Sequence, residues 1–375
     1  MSRFEEYDMY VRNKNFVGKG EIVTFTDLNG RLLALKPDVT LSIIKNYKSA
    51  EGTLSKVYYN ENVYRPDRTT HEIKEIMQSG IECMGEISEL DECEVISLAV
   101  KSLAAISPSF ILDISSVGIV SGLLNAAGLD EDTQKSIIKL LGEKNSSSLK
   151  SLCEEMGVGS AISSIAVSLC EISGKAAQCI SSIEKLCINR EMIEAAAELR
   201  RIITALDECG LADNIYIDFS IINDTKYYNG IVFRGYVDSL PKSVLSGGRY
   251  DNLLKGMGKQ GGAIGFAVYS DMLERIDSRE KEYDCDVLLT YDDGVSFADI
   301  TKATELLKEK GGIVNIQKDG SSAFREQYGS RGPARHIRWN GRQHRDCGAE
   351  GLRRYRVLFA GAVCRRGAFS LRSRD

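Results

Sequence analysis

A strand, a polar loop and a second strand are predicted between residues 64 and 85, YRPDRTTHEIKEIMQSGIECMG. Arg65 lies at the end of the first strand. Gln78, Gly80 and Glu82 on the second strand lie two residues apart, so they point to one face of the sheet, with a glycine where a ligand can approach closely. The stretch is either one wall of a site for a small zwitterion or an ordinary hairpin with a solvated polar face.

Length and composition indicate a globular protein of two or three domains, with 375 residues of which 43% are hydrophobic. No apolar run approaches the roughly 20 residues that span a bilayer, and the N-terminus lacks the apolar centre of a signal peptide. We therefore expect a cytoplasmic protein. The ten cysteines include no CxxC pair, so we expect reduced thiols, with neither a metal site nor a disulfide framework.

Charge is distributed unevenly along the chain, whose total is −5. Residues 325–375 contain 13 Arg, no Lys and 4 acidic residues, which gives +9 and leaves −14 for residues 1–324. Because basic residues supply most of the affinity for nucleic acid, the acidic body is a poor match to a tRNA-binding surface, and we expect no nucleic-acid partner for it. A small local basic groove is still compatible with this charge.

Strand and helix patterns alternate along the rest of the chain. The helix predicted from Pro37 onward has Asp38 in its first turn, where a carboxylate is a favourable cap. The predicted elements are a hairpin at 22–36, a helix at 88–106, a strand running into a helix at 110–120, successive amphipathic helices at 121–210, and a hairpin formed by 214–222 and 226–237.

Four further segments occur in the order found in the catalytic domain of histidyl-tRNA synthetases, and the stretch at 64–85 resembles motif 2 of that family. The resemblance spans roughly residues 4–275 and extends to the synthetase-like regulatory subunits of ATP phosphoribosyltransferase, the first enzyme of histidine biosynthesis. The segments are LALKPDVT (33–40), KYYNGIVF (226–233), SGGRYDNLL (246–254) and GGAIGFAV (261–268).

The resemblance implies an α+β fold, with a class II aminoacyl-tRNA synthetase-like antiparallel sheet, flanking helices, a helical insertion and a partial C-terminal α/β domain. In the family, a segment carrying the motif 1 helix, much of the dimer interface, precedes the point where this chain begins. Its absence here indicates either a misplaced start codon or a truncated protein, and the sequence gives no support for dimerisation by that route. The implied parts are a core at 1–120 and 211–276, the insertion at 121–210, the start of an anticodon-binding-like domain at 284–320, and an anomalous Arg-rich tail at 321–375.

The Arg-rich tail has two interpretations. Arg interleaved with Tyr, Phe and Trp is typical of an RNA-binding tail. The abrupt switch to Arg alone, without an amphipathic period, favours instead a frameshift near residues 320–330. On that hypothesis, we expect residues from about 325 onward not to continue the packed C-terminal domain.

The resemblance also assigns a histidine pocket. Asp38 and Thr40 correspond to residues that contact the amino group of histidine, although Asp38 equally suits a helix cap alone. Glu82 and Tyr228 correspond to the residues on either side of the imidazole. Since Tyr227 and Tyr228 are neighbours in a predicted strand, we expect only one of them to face the pocket. The predicted histidine-binding residues are Asp38, Thr40, Arg65, Gln78, Glu82, Tyr228 and Tyr250.

Residues that handle ATP in the family are replaced. Asn223 stands where a catalytic arginine acts, and a neutral amide stabilises developing negative charge less than a guanidinium does. Alignment on GFA places Met272 at the position of the motif 3 arginine and Tyr269 at that of a glycine, and the loop at 70–75 lacks an arginine at its tip. Histidine recognition is thus predicted to be kept and its activation lost.

The resemblance therefore implies a non-catalytic, histidine-sensing subunit without a cofactor, associated in a hetero-oligomer with a short-form ATP phosphoribosyltransferase catalytic subunit. An alternative is a divergent histidyl-tRNA synthetase, which needs arginines for ATP and a basic face for tRNA. A third possibility is an orphan synthetase-like module that acts on another amino acid or protein.

Overall fold

The computed structural model describes residues 2–13, 22–48, 52–67, 70, 72–222, 225, 227–238, 240–273, 287–291, 295–308, 314–318 and 335–339. The chain divides into two compact units, residues 1–277 and 278–375. Across these described ranges, no helix combines the length and the apolar character needed to cross a membrane.

A small antiparallel sheet opens the first unit, with the strand order β1-β3-β2. The predicted hairpin is present, and the Asp27 carboxylate stabilises its turn by accepting the backbone N–H groups of Asn29 and Arg31 at 2.8 and 2.9 Å. Gly30 follows in the left-handed region at φ 77°. The strands are β1 (Phe4–Glu6), β2 (Thr24–Thr26) and β3 (Leu32–Leu35).

Eight strands form the main sheet of this unit, in the order β4-β5-β11-β10-β9-β6-β8-β7. The predicted hairpin at 64–85 is part of a longer one, in which β4 and β5 pair antiparallel from Leu54 opposite Gly85 to Pro66 opposite Ile73. The strands are β4 (Leu54–Pro66), β5 (Ile73–Gly85), β6 (Phe110–Ser116), β7 (Ser173–Lys175), β8 (Ile215–Asp218), β9 (Ile231–Val237), β10 (Leu245–Arg249) and β11 (Gly262–Tyr269).

Strand β6 lies between β8 and β9, so the predicted hairpin of 214–222 with 226–237 is wrong. β6 pairs in parallel with β8 and antiparallel with β9. After β8 the chain enters a short 3-10 turn, Phe219–Ile221, and does not reverse onto its own strand. The apolar pattern predicts that each segment is a strand, but its neighbour is chosen by packing across the whole sheet.

Most helices begin or end at residues that satisfy free backbone groups. Ser88 and Asp91 form a capping box at the start of α3, Asp130 and Asn189 cap α5 and α9, and Gly128 ends α4 at φ 65°. The helices are α1 (Tyr7–Arg12), α2 (Thr40–Asn46), α3 (Glu89–Ile106), α4 (Val117–Ala127), α5 (Glu131–Gly142), α6 (Ser146–Glu155), α7 (Ser160–Glu171), α8 (Ala176–Leu186), α9 (Arg190–Glu208), α10 (Asp251–Gly256) and α11 (Ser270–Leu273).

The two faces of the main sheet have different roles. Ile264, Phe266 and Val268 of β11 belong to the large core, together with apolar residues of α3, α4 and α9. Gly265, Ala267 and Tyr269 face the other way, onto a polar cavity. The sheet thus separates the large core from a face that holds this cavity and a smaller second core. Within the predicted insertion, β7 adds a strand to the edge of the sheet beside β8.

The second unit contains the predicted strand, helix and strand, with β12 and β13 parallel. A further parallel strand, β14, pairs with the other edge of β12. The expectation that residues beyond about 325 do not continue the domain is wrong for residues 335–339. Pairing along a sheet edge uses backbone hydrogen bonds, so it does not require an apolar pattern in the added strand. The other tail residues lie outside the described ranges. The elements are β12 (Val287–Tyr291), α12 (Phe297–Lys308), β13 (Val314–Lys318) and β14 (Arg335–Trp339).

Candidate functional site

A polar cavity lies where β5 and β11 pair, on the face of the main sheet opposite the large core. Across the two strands Gln78 stands opposite Tyr269, Gly80 opposite Ala267, and Glu82 opposite Gly265. The predicted alternation along β5 is confirmed, since Gln78 and Glu82 both line the cavity. The cavity encloses about 400 Å³ of space, part of it open to solvent.

The fold brings all seven predicted site residues into the lining of this one cavity, although they come from five separate parts of the chain. Each of the four other segments that carry the resemblance contributes at least one of them or a neighbouring lining residue. The predicted residues are Asp38, Thr40, Arg65, Gln78, Glu82, Tyr228 and Tyr250, and the others are Tyr59, Tyr227, Ser246, Gly265, Phe266, Ala267 and Tyr269.

Glu82 is a buried carboxylate, with only 2% of its surface exposed. The Thr40 hydroxyl donates a hydrogen bond to its Oε1 at 2.6 Å, and the Tyr250 hydroxyl donates to its Oε2. Burial raises the pKa of Glu82 to about 8, against the two hydrogen bonds, which lower it. Because this pKa lies close to neutrality, Glu82 can change between the acid and the carboxylate near physiological pH. As the carboxylate, it can accept a hydrogen bond from a ligand.

Asp38 serves both as a helix cap and as a cavity residue. Its Oδ1 accepts the backbone N–H of Leu41 at 2.9 Å in the first turn of α2. Burial raises the pKa of Asp38, whereas the bond from Leu41 and the charge of Arg65 lower it. The predicted cap is confirmed, and Asp38 also lines the cavity. Its contact with the amino group of histidine stays a prediction.

Arg65 supplies the single positive charge among the described residues that line the cavity. Its Nε donates to the carbonyl of Pro37 at 3.0 Å, which fixes the side chain at the end of β4 and leaves its terminal nitrogens for other partners. The carboxamide of Gln78 lies close by on β5 and is 3% exposed. This end of the cavity is built to receive an anionic group.

Tyr227 and Tyr228 both line the cavity, so the expectation that only one would do so is wrong. Both precede β9, which begins at Ile231, and irregular backbone does not impose the alternation of a strand. Their rings meet edge to face at 4.7 Å, and Tyr227 lies 5.8 Å from Tyr250. Burial raises the pKa of Tyr228 and of Tyr250, so both phenols stay protonated and can donate hydrogen bonds.

Glycines make room for these side chains on the sheet. A Cβ at Gly265 would stand 1.9 Å from Oε2 of Glu82, and one at Gly248 would stand 2.7 Å from the ring of Tyr228. A Cβ at Gly80 would meet the ring of Tyr59 at 2.5 Å. Gly265 is thus a site residue that sequence reasoning missed; the register of β5 against β11 reveals it, and the GGAIGFAV motif alone does not.

A buried ionic network supports the cavity from the side of β10. Arg249 bonds Glu92 of α3 through Nη1 at 2.8 Å and Asp251 of α10 through Nε at 3.0 Å. Asp251 also accepts the backbone N–H of Ala263 on β11 at 2.9 Å. Tyr250 lies between Arg249 and Asp251 in sequence, so the network fixes the residue that bonds Glu82.

Some predicted features fall outside the described part of the chain. Asn223, predicted to stand where the family has a catalytic arginine, lies outside it, as do residues 68, 69 and 71 of the predicted motif 2 loop. Among the residues that are described, no group of three or more His, Cys, Asp or Glu could hold a metal ion.

The fold is that of a class II aminoacyl-tRNA synthetase-like domain. Its mixed sheet packs against helices on one face and carries the cavity on the other. The model of the family "Histidyl-tRNA synthetase" matches residues 2–273, and the chain belongs to this family. A solved histidyl-tRNA synthetase from Nostoc sp. PCC 7120 has a TM-score of 0.67 at 18% identity and covers 91% of this chain and 83% of that one.

Similar proteins include regulatory subunits as well as synthetases. An ATP phosphoribosyltransferase regulatory subunit from Acetivibrio thermocellus is 28% identical, with 84% of this chain and 77% of that protein covered. A crystal structure titled an ATP phosphoribosyltransferase regulatory subunit/histidyl-tRNA synthetase, from Bacillus halodurans, has a TM-score of 0.66 at 24% identity, covering 91% and 88%. The ATP phosphoribosyl transferase (HisG:HisZ) complex from Thermotoga maritima contains a similar chain, with a TM-score of 0.54 at 19% identity, covering 70% and 95%.

Proposed function

We propose that this protein is a non-catalytic regulatory subunit of ATP phosphoribosyltransferase that binds L-histidine in the cavity and is required for the function of a short-form catalytic subunit. The observation that carries the proposal is the polarity of the cavity, which presents one guanidinium at one end and the buried Glu82 carboxylate at the other. A small zwitterion with a second polar group matches that distribution.

Each group of histidine has a partner in this arrangement. Arg65 and Gln78 receive the carboxylate, Asp38 and Thr40 the ammonium group, and Glu82 the imidazole N–H, with Tyr228 on the other side of the ring. Glu82 already accepts two hydrogen bonds, but the two oxygens of a carboxylate offer about four acceptor positions. The ligand thus adds a partner without displacing Thr40 or Tyr250.

The names of similar proteins support the proposed catalytic partner. The similar Acetivibrio thermocellus protein is named a regulatory subunit, and the similar Thermotoga maritima chain occurs in a HisG:HisZ complex. These names support a hetero-oligomer with a catalytic chain. Histidine regulates that assembly if it binds the two states of the complex with different affinities.

The competing function is a divergent histidyl-tRNA synthetase, which the family membership favours. By the resemblance, Met272 stands at the position of an arginine that holds the ATP phosphates in the family, and Asn223 at that of an arginine that acts on the activated carboxylate. Loss of both removes the charges that stabilise the activation step. Residues 1–324 also carry a net charge of −14, which opposes the binding of tRNA.

Calorimetric titration of the full chain tests the proposal. Histidine should bind, and ATP should add no heat and no change in histidine affinity. Glu82→Ala should weaken histidine binding about ten- to a hundredfold, because it removes a charge-assisted hydrogen bond of roughly 1.5–3 kcal/mol, whereas Gln78→Ala should cost roughly 1 kcal/mol. Histidine-dependent exchange of pyrophosphate into ATP would support the synthetase instead.

A further inference from the structure

The cavity has a small-residue floor bounded by larger side chains at both ends. On β11 the residues that face the cavity are Gly265, Ala267 and Tyr269, and they stand opposite Glu82, Gly80 and Gln78 of β5. Alternate residues of a strand lie about 6.6 Å apart, so Tyr269 stands roughly 13 Å from Gly265 along the strand. The ring of Tyr59 covers Gly80 in the middle of this floor, and Tyr269 forms a wall where it pairs with Gln78.

Tyr269 belongs to the same end of the cavity as Arg65. The strand register places both there, because Tyr269 and Glu61 stand opposite Gln78 on its two sides and Arg65 follows Glu61 along β4, away from Glu82. Both side chains line the cavity. Burial raises the pKa of Tyr269, the charge of Arg65 lowers it, and the charge of Asp38 raises it. A hydrogen bond with the Ser246 hydroxyl lowers the pKa of Tyr228 and that of Tyr269, against the effect of burial. The backbone N–H of Tyr269 donates to the carbonyl of Val244 at 2.8 Å, so the residue is anchored to β10.

Electrostatics orients a zwitterionic ligand in this box. Its carboxylate is drawn to Arg65, the single cation of the described lining, and its ammonium group to Asp38. The carboxylate then lies beside Tyr269, and any group attached to it would extend toward the ring.

We propose that Tyr269 closes the carboxylate end of the cavity and thereby restricts the ligand to free amino acids, excluding molecules extended at the carboxyl group, such as esters or acyl adenylates. This inference rests on the proposed function, because it assumes an amino acid ligand. The inference gives Tyr269 a role in ligand specificity, because its side chain limits the length of the cavity, whereas other residues bind the ligand.

Three ligands separate size from charge: L-histidine, histidinamide, which loses the negative charge but is hardly larger, and histidine benzyl ester, which loses the charge and is much longer. Each is titrated into the full-length protein and into Tyr269→Ala, Tyr269→Leu and Tyr269→Phe. Tyr58→Ala is the matched control, because Tyr58 is 88% exposed and does not line the cavity.

Tyr269→Ala and Tyr269→Leu should each bind the benzyl ester at least tenfold more tightly than the unmodified protein does, with histidinamide affinity changed less than threefold. Tyr269→Phe and Tyr58→Ala should keep the exclusion. The inference is overturned if the unmodified protein binds the ester as well as histidinamide, or if a folded Ala or Leu variant gains no affinity for it. Absence of histidine binding to the unmodified protein would instead refute the proposed function.

Discussion

Glu82 is the residue whose chemistry most determines how the cavity behaves. It is buried, its two oxygens accept bonds from Thr40 and Tyr250, and burial raises its pKa to about 8. A raised pKa means that the folded, unliganded protein holds a proton on this carboxyl at neutral pH. A ligand that donates an imidazole N–H to the carboxylate must displace that proton.

Histidine affinity should therefore rise with pH between pH 6.5 and 8, by about tenfold, and level off above the pKa of Glu82. Binding should release a proton, which calorimetry in buffers of different ionisation enthalpy detects. Glu82→Gln carries no titrating group, so its remaining affinity should change by no more than about twofold over this range. An unchanged affinity in the unmodified protein would contradict a role for Glu82 as the imidazole acceptor.

Gly265 provides a second test at single-residue scale. A Cβ there would lie 1.9 Å from Oε2 of Glu82 and 2.4 Å from the carbonyl oxygen of Ile81. Gly265→Ala should weaken histidine binding by more than tenfold and lower the free energy of unfolding by about 1–3 kcal/mol, since the carboxylate or the strand must move. The control is Gly159→Ala, where no atom lies within 4 Å. Titration and denaturant unfolding of both variants decide the outcome.

At the scale of secondary structure elements, the ionic network around Arg249 connects α3, α9, β10 and α10. Glu92 of α3 is 1% exposed and its Oε2 has no hydrogen-bond partner among the described residues, while Glu198 of α9 lies 3.9 Å from Arg249. Burial first, and then the charge of Glu198, raise the pKa of Glu92 to about 7, although Arg249 lowers it. The network orders β10 and its neighbours at the cost of a partly unsatisfied carboxyl group.

The pH dependence of stability follows from the direction of that shift. Because the folded pKa of Glu92 lies above its unfolded value of about 4.5, the folded state binds the proton more tightly, and stability is lost as pH rises from about 4.5 to 7. Glu92→Gln should remove this loss, which amounts to roughly 3 kcal/mol at most. Urea unfolding at pH 5 and pH 8 measures the difference. Glu155→Gln, at an exposed position of α6, should follow the unmodified protein at both pH values.

At the scale of the whole molecule, the distribution of charge determines how the chain is expected to interact with RNA. Residues 1–324 carry −14 and residues 325–375 carry +9. An acidic body repels nucleic acid, and a basic tail attracts it without sequence preference. Any RNA affinity should therefore come from the tail.

Binding of tRNA for histidine should be no tighter than the non-specific range of about 10⁻⁴–10⁻⁶ M at physiological salt, and it should fall steeply as salt increases. An unrelated tRNA of equal length should bind equally well. Filter binding with both RNAs over a salt series makes the comparison. A preference of a hundredfold or more for the histidine tRNA would favour the synthetase.

Local pattern in the sequence was sufficient for the hairpin of β4 and β5, because the period of two places Gln78, Gly80 and Glu82 on one face whatever the rest of the fold does. The resemblance added Asp38, Thr40, Arg65, Tyr228 and Tyr250, and the structure brings all of these residues to one cavity. These features depend on residues near each other in sequence or on a family order of motifs.

Tertiary structure alone decided which strands are neighbours and which other residues complete the cavity. β6 lies between β8 and β9. Tyr227 and Tyr228 both line the cavity, and Tyr269 lies opposite Gln78. Strand pairing joins segments that are distant in sequence, and its energy comes from packing and backbone hydrogen bonds that no local pattern encodes. For the same reason β14 adds to the sheet of the second unit from a segment without an apolar period.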